Sequence, residues 1–243
     1  MSGAAALVRY APYQLRDYVV DRGISTLAFG ALLLLVPPAL GGPDARAGAS
    51  GFFAATVGNF GLLGAIFAVN GLSSTDRQRG YFRFLFSKPV SVPGYYAQDA
   101  AVRLAGLLAV SLALCAAFAL LTATAPPLWA LAHVALTFVL VGGVGFLLGA
   151  VTHHDGVALV GVLVLTALAR TGSAALGWLG RGPAEALQFV ARLLPPFHLL
   201  DPARDALAGG TAPPVGVLVA ILSYGLGCFA AGLLVLRHRP LAT

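Results

Sequence analysis

The sequence predicts an all-α, polytopic membrane protein with six transmembrane helices, an N-terminal interfacial helix and a short helix in a cytoplasmic loop. Three observations lead there. Of 243 residues, 58% are hydrophobic and only 10% charged, whereas soluble domains carry about a quarter charged residues. Apolar windows recur at the length a bilayer demands, about 20 residues for a hydrocarbon core of about 30 Å. Those windows are continuously apolar rather than alternating, which favours helices over a barrel.

The chain opens with residues 7–23. Leu7, Val8, Ala11, Leu15, Tyr18 and Val19 fall within one arc of a helical wheel, with Arg9, Tyr13, Arg16 and Asp17 elsewhere. Pro12 suits a first turn, so a helix from about Pro12 to Arg22 lying in the membrane interface fits the pattern. An unstructured basic leader is the alternative. Cleavage after a signal-like Ala45-Arg46-Ala47 is a further one, weakened by the length and patterning of the segment before the apolar run.

Six spans are expected at 24–40, 51–73, 97–125, 128–151, 156–180 and 214–236, all within one transmembrane domain, 1–243. The first is short and ended by Pro37-Pro38; Arg170 interrupts the fifth. Gly58, Gly61 and Gly64 in the second, and Gly142, Gly145 and Gly149 in the fourth, let helices approach closely. They suit either internal packing or a seam between copies. Cys115 and Cys228 are far apart, form no motif and read as packing residues. The charge pattern sets orientation. With both termini in the cytoplasm, Arg9, Arg16, Arg22, Arg77, Arg79, Arg83, Lys88, Arg103, Arg237 and Arg239 lie inside, against Arg46, Arg170, Arg181, Arg192 and Arg204 elsewhere. That asymmetry is the positive-inside signature.

Between the second and third windows runs TDRQRGYFRFLFSKPVSVPGYY, Thr75 to Tyr96. Thr75 and Gln78 form a capping box, and Asp76 sits at the positive end of the helix they start. Tyr81, Phe82, Leu85 and Phe86 share one side; Arg79 and Arg83 share another. Pro89 stops the helix, and Pro93-Gly94 turns the chain back. The product, 75–87, is an amphipathic helix about 20 Å long, too short and too charged to span. Its aromatic side needs cover, either lipid headgroups or a groove on a cytoplasmic partner.

The layout resembles the ABC type-2 transporter permease family: interfacial helix, two spans, a charged loop, three spans and a terminal one. The matching residues are Asp76-Arg77-Gln78-Arg79-Gly80, then Leu85-Phe86-Ser87-Lys88-Pro89-Val90-Ser91. The resemblance implies that the loop is a coupling helix seated on a separate ATPase subunit. Asp76, Arg79, Gly80, Tyr81, Phe82, Arg83, Leu85, Phe86, Lys88 and Pro89 would then carry ATPase coupling. It further implies two ATPase subunits, a second permease copy or a paralogue, and a bacterial-type cytoplasmic membrane. It also places short re-entrant helices before the last span, over the outer end of the substrate path. Here that segment is 193–210, with Pro195, Pro196, Phe197, Asp201 and Arg204 as gate residues. Read from its residues alone, Asp201 caps a short helix, Pro202 suits its first turn and Gly209 or Gly210 closes it; an ordinary amphipathic surface loop satisfies the same pattern.

No G-x-x-x-x-G-K-[ST] occurs in the chain, so any ATP and magnesium are expected on a partner. No cofactor, metal or nucleic-acid partner is expected, and the chain is not expected to be an enzyme. The competing readings are a membrane hydrolase built on His133, His153, His154 and Asp155, and a non-catalytic scaffold or sensor. The hydrolase lacks H-E-x-x-H and G-x-S-x-G. Adjacent histidines on a helix point about 100° apart and chelate poorly together.

Overall fold

A computed structural model describes residues 10–41, 48–72, 91–152, 155–175 and 194–238, the backbone alone at 155, 170–175 and 238. Every regular element among them is helical. The amphipathic leader forms α1 (Ala11–Tyr18), with Pro12 in its first turn as its missing N–H allows. A π-helical turn, Val19–Gly23, carries the chain without a break into α2 (Ile24–Leu34). The buried face of α1 takes in only Tyr18 of the apolar arc, with Gln14 beside it. Gln14 and Tyr18 are buried while Leu15 and Val19 stay exposed. The cause is the neighbouring helix, which offers Gln98 and Gly106 to this face.

Pro37 and Pro38 shape the end of the first window. Neither has an N–H, so the carbonyls of Leu33 and Leu34 lose their helical donors. The helix breaks at Leu35 and restarts as α3 (Val36–Leu40), with proline in its first turn. The first window is therefore two helical pieces rather than one rod.

Among the described residues, four helices are long and apolar enough to cross a membrane. The first three are α4 (Ala49–Val69), α5 (Val92–Thr122) and α6 (Trp129–Val151). The 31 residues of α5 reach about 46 Å, well beyond a hydrocarbon core of about 30 Å. It starts five residues before the expected 97, because Pro93 occupies its first turn. Pro93-Gly94 thus begins the helix instead of reversing the chain. At its far end Ala123 takes the left-handed conformation (φ 54°) that stops it.

After α7 (Asp155–Ala175), whose apolar stretch Gly156–Ala169 is shorter than a span, a short 3₁₀ turn (Phe197–Leu199) leads into α8 (Leu200–Ala208). Gly209 and Gly210 close α8, Gly210 at φ 74°. The fourth long helix is α9 (Val215–His238). Its closest packing is against α6. A Cβ on Gly143 would fall on the Gly225 carbonyl, and one on Gly225 would fall on the Val139 carbonyl. The two backbones touch, which only glycine permits.

Glycines of the two spaced sets in α4 and α6 also face inward. A Cβ on Gly61 would meet His133, Val134 and Thr137; one on Gly64 would meet Leu107 at 3.1 Å; Gly142 and Gly145 lie against Val69. Of the two uses the sequence left open for them, these positions serve internal packing. Aromatic rings finish the assembly. Tyr10, Tyr95, Tyr96, Phe146 and Phe229 make successive ring contacts at centroid separations of 4.4 to 6.4 Å, running from the start of α1 through α5 and α6 to α9. At the opposite end, Phe53 packs on Phe118 and Trp129.

Residues 73–90 lie outside the described residues, and with them the expected helix 75–87. So do His153 and His154, and the side chains of Asp155 and Arg170.

Backbone contact at Gly143 and Gly225 makes a direct prediction. Gly143→Val or Gly225→Val should destabilise the protein by at least about 1–3 kcal/mol, the usual cost of overpacking. Gly216→Ala, whose Cβ enters open space, should leave stability unchanged. Thermal unfolding of the detergent-purified protein checks both.

Candidate functional site

Ionisable side chains within apolar helices are expensive and mark where a membrane protein does something specific. Along α4 and α6 there is no Asp, Glu, Lys or Arg. Along α5 there are two, Asp99 and Arg103. These meet α4 at the end where residues 72 and 91 lie, here termed the loop end. Asp99 is 5% exposed. Arg103 Nε donates to Asp99 Oδ2 at 3.1 Å, a brace of i,i+4 spacing within α5. Its Nη1 donates across to the Ala68 carbonyl at 2.8 Å and reaches the Asn70 carbonyl at 3.4 Å.

Those acceptors have a physical meaning. The last four carbonyls of a helix have no helical donor, and they form the negative end of its dipole. Arg103 supplies both hydrogen bonds and positive charge there. The chain then turns at Gly71 (φ 81°). The Asn70 amide group lies against Gly156 at the start of α7.

The seat for α1 lies one turn further along α5. A Cβ on Gly106 would collide with the Tyr18 ring, so glycine makes the socket. Burial pushes the Tyr18 phenol up to about 12, against the opposing influence of the Arg103 charge. It stays protonated. Gln98 Nε2 donates to Gln14 Oε1 at 3.0 Å, fixing the same two helices at a second point.

A second polar cluster sits towards the opposite end of α4. Arg204 on α8 pairs with Asp201 (3.3 Å) and Asp205 (2.9 Å). Its Nη1 occupies the space where a Cβ on Gly58 would be, 2.9 Å away. One turn along α4, Gly61 faces His133. That imidazole is 2% exposed and its Nδ1 has no hydrogen-bond partner among the described residues. The face Gly58/Gly61 of α4 thus receives an arginine from α8 and a histidine from α6.

Of the gate residues expected from sequence, Arg204 is mostly buried and Asp201 exposed. Asp201 does not cap α8; the 3₁₀ turn brings the helix in at Leu200 and leaves Asp201 in the first turn, three residues before Arg204. Pro195 is buried and Pro196 half-buried. Phe197 packs against the core that holds Leu140 and Leu200 and against the larger one that holds Phe53 and Val134. The coupling residues Asp76 to Pro89 lie outside the described residues. Missed from sequence were Asp99 and the bond it makes with Arg103. The signal was available: a single carboxylate four residues before the single cation of a 31-residue helix.

Four buried hydroxyls turn back on their own helices. The hydroxyls of Thr56, Ser111, Thr137 and Thr166 each donate to the carbonyl four residues back, at 2.7 to 2.9 Å. An apolar cleft of about 210 Å³ opens among α5, α6 and α9, with Ala101, Leu104, Gly142, Leu226 and Phe229 in its wall. Every residue lining it is apolar, so it offers no reacting group. No cluster of three metal-ligating side chains occurs among the described residues.

Comparison of the chain with protein-family models, curated proteins and solved structures gives no match.

The two clusters differ in their expected energetics. Asp99→Ala leaves a mostly buried guanidinium without its carboxylate and should cost about 3 kcal/mol. Asp201→Ala removes a partner that is 70% exposed and should cost less than about 1 kcal/mol. Unfolding of the two variants side by side reads the difference.

Proposed function

We propose that this chain is the membrane permease subunit of an ATP-binding cassette exporter. In this reading it forms half of a translocation path, with six spans that add 24–40 and 156–180 to the four long helices. Both termini lie in the cytoplasm of a bacterial-type inner membrane. A second copy or a paralogue completes the path, and two separate ATPase subunits supply the energy.

One observation carries the reading. Between two apolar helices, α4 and α5, the sequence inserts a charged and aromatic segment ending Lys88-Pro89-Val90-Ser91. Its amphipathic pattern suits a helix laid in a groove. The contacts at its base support the same reading. The two helix ends that carry this segment are joined by Arg103, so a load applied to the segment reaches the membrane helices. The chain's lack of a phosphate-binding loop of its own is consistent with a motor on another polypeptide.

Of the residues the hydrolase reading names, His133 alone has a described side chain. His133 is buried, and the carboxylates nearest in the same cluster, Asp201 and Asp205, are engaged by Arg204.

The docking face gives the test. Phe82→Asp with Leu85→Asp should abolish co-purification of an ATPase subunit from native membranes while the permease still inserts. Arg46→Ala, placed outside the membrane in this topology, should leave co-purification intact. A native assembly without a nucleotide-hydrolysing subunit, or one that survives the double substitution, overturns the proposal.

A further inference from the structure

We infer that Arg103 is a positioning residue that makes α4, α5 and α1 move as one body when the segment 73–90 is displaced. The inference rests on the permease reading above and assigns it a transmission element.

Cost is the first argument. An arginine side chain of which 17% is exposed stands in a helix that otherwise holds one acidic partner, Asp99. Leucine would fill this space without a desolvation penalty. Arginine is therefore present for what only its donors can do.

Geometry is the second. The carboxylate partner, Asp99, is on the same helix, so it aims the guanidinium without joining elements. The joining bonds run from Nη1 to two backbone carbonyls at the end of α4, 35 and 33 residues earlier in the chain. Arginine's planar fork satisfies carboxylate and carbonyls together; a lysine ammonium reaches fewer acceptors in fixed geometry. The carbonyls belong to residues 68 and 70, and the acidic brace sits eight residues after Ser91. The bond therefore bridges the two stems of the segment itself.

Connection is the third. Tyr18 of α1 is seated on Gly106 of α5, within the electrostatic reach of Arg103. From the same end of α5 the ring contacts Tyr96, Phe146 and Phe229 continue into α6 and α9. A shift of the α4–α5 stems is passed to the other long helices through packed rings and not through a flexible linker.

The experiment uses the full permease–ATPase assembly. Spin labels are placed at Leu128→Cys and Val215→Cys, both exposed and both at the end opposite the loop, in a Cys115→Ala, Cys228→Ala background. Distances are measured by pulsed electron paramagnetic resonance, nucleotide-free and trapped with ATP and vanadate. With Arg103 in place the distance distribution should differ between the two states. Arg103→Gln should keep ATP hydrolysis within about twofold and lose that difference. Asp99→Asn, which leaves an acceptor for Nε and leaves the carbonyl bonds, should keep it. A purely structural role would instead lower hydrolysis, assembly and the label shift together in Arg103→Gln, and Arg103→Lys would share the defect; that result overturns the inference. So does an Arg103→Gln assembly whose label shift matches the parent. Absence of an ATPase from the parent assembly overturns the permease reading and this inference with it, whereas an unchanged shift in Arg103→Gln overturns this inference alone.

Discussion

An apolar surround offers no hydrogen bonds, and that constraint organises the whole molecule. The hydroxyls of Thr56, Ser111 and Thr137 each close on a carbonyl of their own helix. Among the described residues of the core, charge is admitted at two places: where Arg103 meets the end of α4, and where Arg204 rests on α4 between two carboxylates. Both follow the same rule. A cation is brought in with an acidic partner at helical spacing and is then directed to a site that has acceptors or space to spare.

Close approach is what makes those two places possible. Without a hydrophobic driving force between helices in lipid, packing depends on contact area, and small residues supply it. At Gly143 and Gly225 the backbones of α6 and α9 touch. At Gly106 and Gly58 the missing side chains admit a tyrosine ring and an arginine. The glycine at each of these two is the socket, and the large side chain is the plug. Such pairs join α1 to α5, α8 to α4 and α9 to α6, with aromatic contacts binding the two ends.

Much of the fold was legible in the sequence because apolar length is a bulk property. The windows 51–73, 128–151 and 214–236 fall close to α4, α6 and α9. Boundaries that hinge on proline were misjudged in both directions. Pro93 begins α5 where a reversal was expected, and Pro37-Pro38 divides the first window, since proline's missing N–H is harmless in a first turn and fatal further in. The buried face of α1 was invisible because it is set by Gln98 and Gly106, far along the chain. Asp99 and Arg103 were readable as a local pair, but the acceptors that join Arg103 to α4 are backbone carbonyls, which no residue type announces.

The two clusters share a helix, and that bears on how the molecule would transmit force. Gly58 and Ala68 lie on the same helix, α4, about 15 Å apart along its axis. Arg204 sits at the first and Arg103 bonds the second. A helix is stiff along its axis, because each residue is held by hydrogen bonds in series. Displacement imposed at Ala68 therefore arrives at Gly58 with little loss. There the ion-paired Arg204 must either travel with α4, taking α8 along, or leave its socket. In the first case α8 and the turn at Phe197 move with the loop end. In the second, the exposed carboxylates of Asp201 and Asp205 keep the guanidinium paired outside the socket at small cost. In the permease reading, α4 is the element that would feel the loop, and Arg204 of α8 is the group that must follow it or let go.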